Sequence, residues 1–182
     1  MIECGALAGL ALFTCLARNP ACLPPQHRRF EPYLEAIAAQ ESGYRSNAIR
    51  DETLRQGMFP ATRVEAERIA ADRLARGHTI GGGWFQITHA ANWRRHGLTV
   101  ANAFDPCTNM RAGAEHFAAD VMTAAIKAYN GTGPAADAYA VAVRRRMADA
   151  SVTAPIAPVV SRILPDVGRG AAGRDFAYTI NR

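Results

Sequence analysis

The sequence predicts one mainly helical domain, and three observations carry that prediction. Apolar residues recur at helical spacing in several stretches, capping residues and glycines bracket those stretches, and no convincing period-2 run or internal repeat appears. A chain of 182 residues is long enough for a single domain with tails and a sizeable core. Its 49% apolar and 20% charged residues are ordinary for a globular protein and exclude a disordered or fully membrane-embedded chain.

The first element is an uncharged, largely apolar run from Cys4 to Ala17, shorter than the ~20 residues that span a bilayer comfortably. It has the length of a signal-peptide core, although Glu3 and the lack of Lys or Arg ahead of it are atypical; the other reading is a buried first helix. The targeting reading is adopted, with residues 1–21 as a signal or apolar N-terminal segment. Pro20, Pro24 and Pro25 then keep residues 18–29 irregular. From Phe30 to Glu41 the pattern turns helical: Tyr33, Leu34, Ile37 and Ala38 share one stripe, and Gly43 is a natural stop.

A second helix is predicted from Thr62 to Arg76. Thr62 and Glu65 form a capping box, Glu65 and Glu67 suit the first turn, Arg73 and Arg76 suit the last, and Gly77 ends it. Residues 77–83 read as a glycine-rich loop. A longer helix follows Pro106, with Met110, Ala114, Phe117, Ala118, Val121, Met122 and Ala125 on one face. Gly131, Gly133 and Pro134 interrupt the chain before a last helix over about Ala135 to Met147. The remaining residues, with Pro155, Pro158, Pro165 and the Gly168–Gly173 stretch, read as a flexible tail.

A formal charge of +5 raises the question of a nucleic-acid partner, which the distribution of charge answers. Residues 1–143 carry 14 basic and 13 acidic groups, and residues 144–182 carry 7 and 3. The excess sits in the tail, beginning at Arg144, Arg145 and Arg146, rather than on a folded face with interleaved aromatics, so no nucleic-acid partner is predicted. Four cysteines allow three pairings. If Cys4 and Cys15 leave with the apolar run, Cys22 and Cys107 remain as an even pair for one disulfide. His27, His78, His89, His96 and His116 show no H-x-x-x-H spacing, and no C-x-x-C exists, so no metal site is predicted.

Glu41 is the informative acidic position. On a helical wheel it falls about 80° from Tyr33, inside the apolar stripe, and it lies at the helix C-terminus, where the macrodipole disfavours negative charge. Both effects are expected to favour its protonated form, as a general acid requires. The competing reading is a core-edge glutamate neutralised by Arg45 or Arg111. Other catalytic templates fail: Ser42 follows Gln40 and Glu41 and so lacks the G-x-S-x-G context, and Gly81–Gly83 fits neither a Walker A loop nor G-x-G-x-x-G. The three glycines before Trp84, Phe85 and Gln86 suggest backbone that must approach a ligand closely. Tyr129 and Asn130, ahead of Gly131, either present polar groups to a cleft or simply end a helix.

Taken in order, E-S-G (Glu41–Gly43), G-W-F-Q-I (Gly83–Ile87), A-Y-N-G (Ala128–Gly131) and the late Tyr139 resemble the soluble lytic transglycosylase family, whose fold is lysozyme-like. The G-H before the glycines, Gln86 followed by Asn92, and F-D-P-C-T-N (Phe104–Asn109) are similar to the branch that accompanies type IV secretion and conjugation machines. The resemblance covers roughly residues 22–143. It implies a lysozyme-like catalytic domain over residues 22–148, a glycine-rich loop forming one cleft wall, and a flexible tail over residues 149–182. Residue by residue, it implies Glu41 as the single acid and base, with Ser42 beside it holding substrate or local backbone. Gly83 and Gln86 would line the cleft, Tyr129 and Asn130 would face the sugar, Tyr139 would pack near the catalytic carboxylate, and Cys22 and Cys107 would form the branch's cysteine pair. Trp84, Phe85 and Thr88 depart from the family's usual Leu, Met and Asn.

The expected activity is non-hydrolytic cleavage of the bond between N-acetylmuramic acid and N-acetylglucosamine in peptidoglycan, with no metal or cofactor. The implied partners are glycan strands and components of a secretion or conjugation apparatus, the implied compartment is the periplasm, and no membrane span is expected after processing. The alternatives are a hydrolytic muramidase of the goose-lysozyme type, which needs a second carboxylate, and a non-catalytic wall-binding assembly component. Asp51 and Glu52 are read as loop residues with no pattern that sets either across a cleft.

Overall fold

The computed structural model describes residues 4–5, 7–88 and 91–151. Their order is α1 (Gly9–Ala17), a short 3-10 helix (Pro25–Phe30), α2 (Glu31–Ser42), β1 (Ile49–Asp51), β2 (Gln56–Met58), α3 (Arg63–Ala75), β3 (Ile80–Gly82), β4 (Ile87–Thr88), α4 (Ala91–Arg95), α5 (Pro106–Asn130) and α6 (Pro134–Ser151). The domain is mainly helical, as the sequence predicts, with a small antiparallel sheet in the order β2-β1-β3-β4. Among the described residues no helix is long and apolar enough to cross a membrane. The predicted flexible tail lies, from residue 152 onward, outside the described residues.

Local chemistry sets the helix ends. Gly43 adopts φ 57, and the Gly43 and Tyr44 N–H groups take the carbonyls of Ala39 and Ala38, closing α2. At α3 the Thr62 hydroxyl accepts the Glu65 N–H at 3.2 Å. The Glu65 carboxylate reaches one residue further back than a standard capping box requires and takes the Ala61 N–H at 3.0 Å. Asp105 caps α5 in the same way, accepting the Thr108 N–H at 2.8 Å, with Pro106 at the first turn.

The sheet is where the sequence reading fails. The stretch read as a glycine-rich loop contains β3, which is buried and hydrogen-bonded on both sides: Gly82 pairs with Ile49 and Ile87, and Gly81 with Arg50 and Thr88. Strands of two or three residues are too short to leave the alternation by which strands are recognised. The glycines there serve close packing between the protein's own parts. A Cβ on Gly81 would lie 2.7 Å from the Gln86 carbonyl oxygen.

One continuous core joins α1, α2, the sheet and the start of α5, built on Phe13, Leu23, Leu34, Ile49, Ile80, Trp84, Phe104 and Met110. In the structure the apolar N-terminal run forms α1, packed on the core: Phe13 is fully buried, its ring 5.5 Å from Trp84 and 6.0 Å from Tyr44. All four cysteines are paired, Cys4 with Cys15 and Cys22 with Cys107, so the first pair does not stand apart from the fold. The predicted apolar face of α5 is buried only at its beginning, through Met110 and Ala114, while Val121 and Met122 are exposed. At 1.5 Å per residue a helix of 25 residues runs ~37 Å, and its outer half extends past the core it packs against.

Candidate active site

Helix α2 buries Leu34, Ala38 and Ser42, a stripe four residues apart that turns Glu41 outward. The wheel placed Tyr33 and Glu41 within the apolar face, but Tyr33 is 60% exposed and Glu41 is exposed too. The expected desolvation of Glu41 is therefore corrected: its carboxylate opens into a cleft of about 480 Å³ lined by Glu41, Arg50, Glu52, Phe85, Gln86 and Thr88. The reading in which an arginine neutralises it also fails. Arg45 lies over the Phe59 ring and donates to the Ser42 carbonyl, and no described residue bonds to the Glu41 side chain.

The facing wall is the turn between β3 and β4. Trp84 is fully buried and its Nε1 donates to the Tyr44 carbonyl at 2.9 Å, tying this turn to the end of α2. Gly83 has φ 77, and a Cβ there would lie 2.2 Å from Asn109 Nδ2. Its neighbour is thus an amide of the protein itself, where the sequence suggested a ligand. Asn109 is buried at the start of α5; it donates to the carbonyls of Gly82 and Ala103 and accepts the Phe85 N–H. Gln86 completes the turn at φ 44, an unusual backbone conformation for a residue with a side chain. Its Nε2 donates to the Ala48 and Gly83 carbonyls at 3.0 and 2.7 Å. Both amide hydrogens are thereby engaged, so the group Gln86 has left for a ligand in the cleft is its carbonyl oxygen.

The third wall was unreadable from sequence. Along β1 burial alternates, with Ile49 and Asp51 inward and Arg50 outward, and Glu52 follows on the outward side. Asp51 is fully buried; its carboxylate meets His78 Nδ1 at 2.7 Å and Arg73 Nε at 3.6 Å and accepts the Leu54 N–H at 2.9 Å. The Glu52 N–H donates to the Thr79 carbonyl at 2.9 Å. The strand is thus anchored from behind while Arg50 and Glu52 face the cleft, their Nε and Oε2 atoms 3.8 Å apart.

Burial raises the proton affinity of Asp51, but the His78 hydrogen bond, the Leu54 N–H and the electrostatic pull of His78 and Arg73 outweigh it and hold its pKa below the ordinary carboxylate value. Because the folded value is lowered, the contribution to stability is present above the unfolded Asp value of ~3.9 and is lost as pH falls through the folded value. Thermal unfolding of Asp51→Asn against the wild type should show a deficit at neutral pH that shrinks below about pH 4. A deficit independent of pH would show that packing, not charge, anchors the strand.

The remaining predicted residues are not gathered around Glu41. Ser42 is buried, and its hydroxyl donates to the Ala38 carbonyl at 3.0 Å, so it holds the helix end and offers nothing to the cleft. Tyr129 and Tyr139 stack on one another across α5 and α6, ring centroids 6.3 Å apart, and line a separate groove with Ala125, Ile126 and Val143. Asn130 is exposed at the last turn of α5. Cys22 and Cys107 bridge the chain entry to the first turn of α5, with Cα atoms 4.5 Å apart. Among the described residues no group of three or more His, Cys, Asp or Glu side chains is arranged to hold a metal ion.

Comparison with known proteins bears on residues on both sides of this cleft. The family model described as the transglycosylase SLT domain matches residues 26–150. Among curated proteins, the chain is 32% identical over 81 residues to "Protein virB1" of Agrobacterium fabrum, a match covering 44% of this chain and 33% of that protein. The chain thus matches about a third of that relative's length. No solved structure matches.

Proposed function

The chain belongs to the transglycosylase SLT domain family, and from that membership we propose that it is a peptidoglycan lytic transglycosylase with Glu41 as its acid and base. The observation that carries the proposal is the Glu41 carboxylate at the end of α2, bonded to no described residue and facing a cleft whose far wall holds Gln86. Protonated Glu41 donates to the glycosidic oxygen between N-acetylmuramic acid and N-acetylglucosamine as the bond from C1 to that oxygen breaks. The muramoyl acetamide assists at C1. Glu41, now a carboxylate, takes the proton of the same sugar's C6 hydroxyl as that oxygen bonds to C1, leaving a 1,6-anhydro ring and restoring the acid. The nucleophile is tethered to the sugar it attacks, and the resulting effective molarity replaces an activated water. The reaction needs no metal or organic cofactor.

We further propose that the protein acts in the periplasm, opening the wall locally for a secretion or conjugation apparatus. The motif order Gly83–Ile87 and Phe104–Asn109 and the likeness to Protein virB1 support that reading.

One observation favours a second reading, hydrolysis by water. Glu52 shares the cleft with Glu41, whereas Asp51, the other candidate for a base, is consumed in its buried contacts. Mass analysis of fragments released from purified sacculi decides between them. The expected fragments end in 1,6-anhydromuramic acid, lighter by one water than hydrolysis products. A digest dominated by reducing-end muramic acid would give the activity to water and make Glu52 its base.

A further inference from the structure

Arg50 is the arginine that lines the cleft beside Glu41. Elsewhere, Arg63 and Arg76 hydrogen-bond to carboxylates, and Arg28, Arg45 and Arg144 donate to carbonyls. The Arg50 side chain makes no hydrogen bond to a described residue, and its contact with Glu52, 3.8 Å from Nε to Oε2, is an ion pair too long to count as one. Both side chains are 45% exposed, so solvent screens the attraction and little is lost when a better partner for the guanidinium arrives. Yet the backbone beneath is fixed, by the Asp51 contacts with His78 and Arg73 and by pairing of β1 on both edges. A guanidinium whose donors no described residue fills, on an anchored strand, in a cleft, is built to take a planar anion with two oxygens.

Resting on the peptidoglycan reading, we propose that Arg50 is a specificity-determining residue that binds a carboxylate of the substrate. The rings of N-acetylated sugars are uncharged and need only neutral donors, acceptors and apolar faces, which Gln86, Thr88 and Phe85 supply. Such rings do not call for a cation, whereas a carboxylate does. The strand carries carboxylates in two places: on the peptide stems, and on the lactyl group of muramic acid once the stem has been removed. Arg50 matches the chemistry both share.

The test measures binding in the Glu41→Gln protein, so that strands are not consumed, with and without Arg50→Gln. Three soluble ligands are compared: peptide-bearing strands, strands stripped of peptide by an amidase, and N-acetylglucosamine oligomers, which hold no carboxylate. Loss of one charge-assisted contact should weaken binding about ten-fold or more and should remove much of its salt dependence, with the oligomers unaffected. Weakening on peptide-bearing strands alone assigns the stem carboxylates, and weakening on stripped strands alone assigns the lactyl group. Arg50→Lys should restore part of the affinity, as a point charge without the fork. Equal weakening on all three ligands, or on none, overturns the inference. A correctly folded Glu41→Gln protein that binds no strand at all would instead sink the peptidoglycan reading itself.

Discussion

Glu41→Gln should abolish the proposed cleavage of purified sacculi while leaving the fold unchanged. The side chain is exposed and bonds to no described residue, so the amide loses no internal contact and unfolding should be indistinguishable from wild type. What disappears is the transferable proton, on which both halves of the proposed reaction depend. Removing a positioned acid typically costs 10²–10⁴-fold in rate, which places turnover near or below detection. Binding to the strands should persist. Wild-type turnover by this variant would remove Glu41 from the chemistry and turn attention to Glu52, the other carboxylate in the cleft.

The second large effect is expected on stability, from adding one methyl group at Gly83. Its φ of 77 is a conformation in which an L side chain costs ~1–2 kcal/mol. The added Cβ would also lie 2.2 Å from Asn109 Nδ2, an amide held in place by three backbone hydrogen bonds and buried at the start of α5. Either the turn or Asn109 has to move, and both carry the Gln86 wall of the cleft. Gly83→Ala should therefore destabilise by about 2–5 kcal/mol in urea unfolding and lose glycan affinity in proportion. The neighbouring Phe85, which also lines the cleft, loses its partner for the backbone N–H. Unchanged stability would mean that the turn adjusts freely and that Asn109 does not define it.

Helices were legible because their signals are local. Thr62 and Glu65 announce α3 and Gly43 ends α2, as read from the residues alone. Glu41 was found, but for a reason the structure corrects: the core stripe of α2 is Leu34, Ala38 and Ser42, and the wheel, centred on Tyr33, misjudged which face the rest of the chain would cover. The sheet was illegible because three-residue strands carry no periodicity, and with it went Arg50, Glu52 and the anchoring role of Asp51. The Asp51 contacts with Arg73 and His78 join residues far apart in sequence, which no local pattern records. Asn109 was in view, within the stretch Phe104–Asn109, but its role depends on a turn 24 residues earlier. Tyr129 was expected to face the sugar and Tyr139 to pack near Glu41; the structure sets the two against each other in a groove between α5 and α6.

The bridge between Cys22 and Cys107 gives the fold a dependence on its redox surroundings. It closes a loop of 85 residues, and forbidding that loop's freedom in the unfolded chain stabilises the folded one by roughly 4–5 kcal/mol. Small domains are stable by only ~5–15 kcal/mol in total, so the bond decides much of whether the cleft exists at all. Where glutathione keeps thiols reduced, about a third or more of that margin is missing. On the proposed function, a wall-cleaving chain would be slack where thiols are kept reduced and taut in an oxidising compartment, a safety catch released by the loss of two electrons.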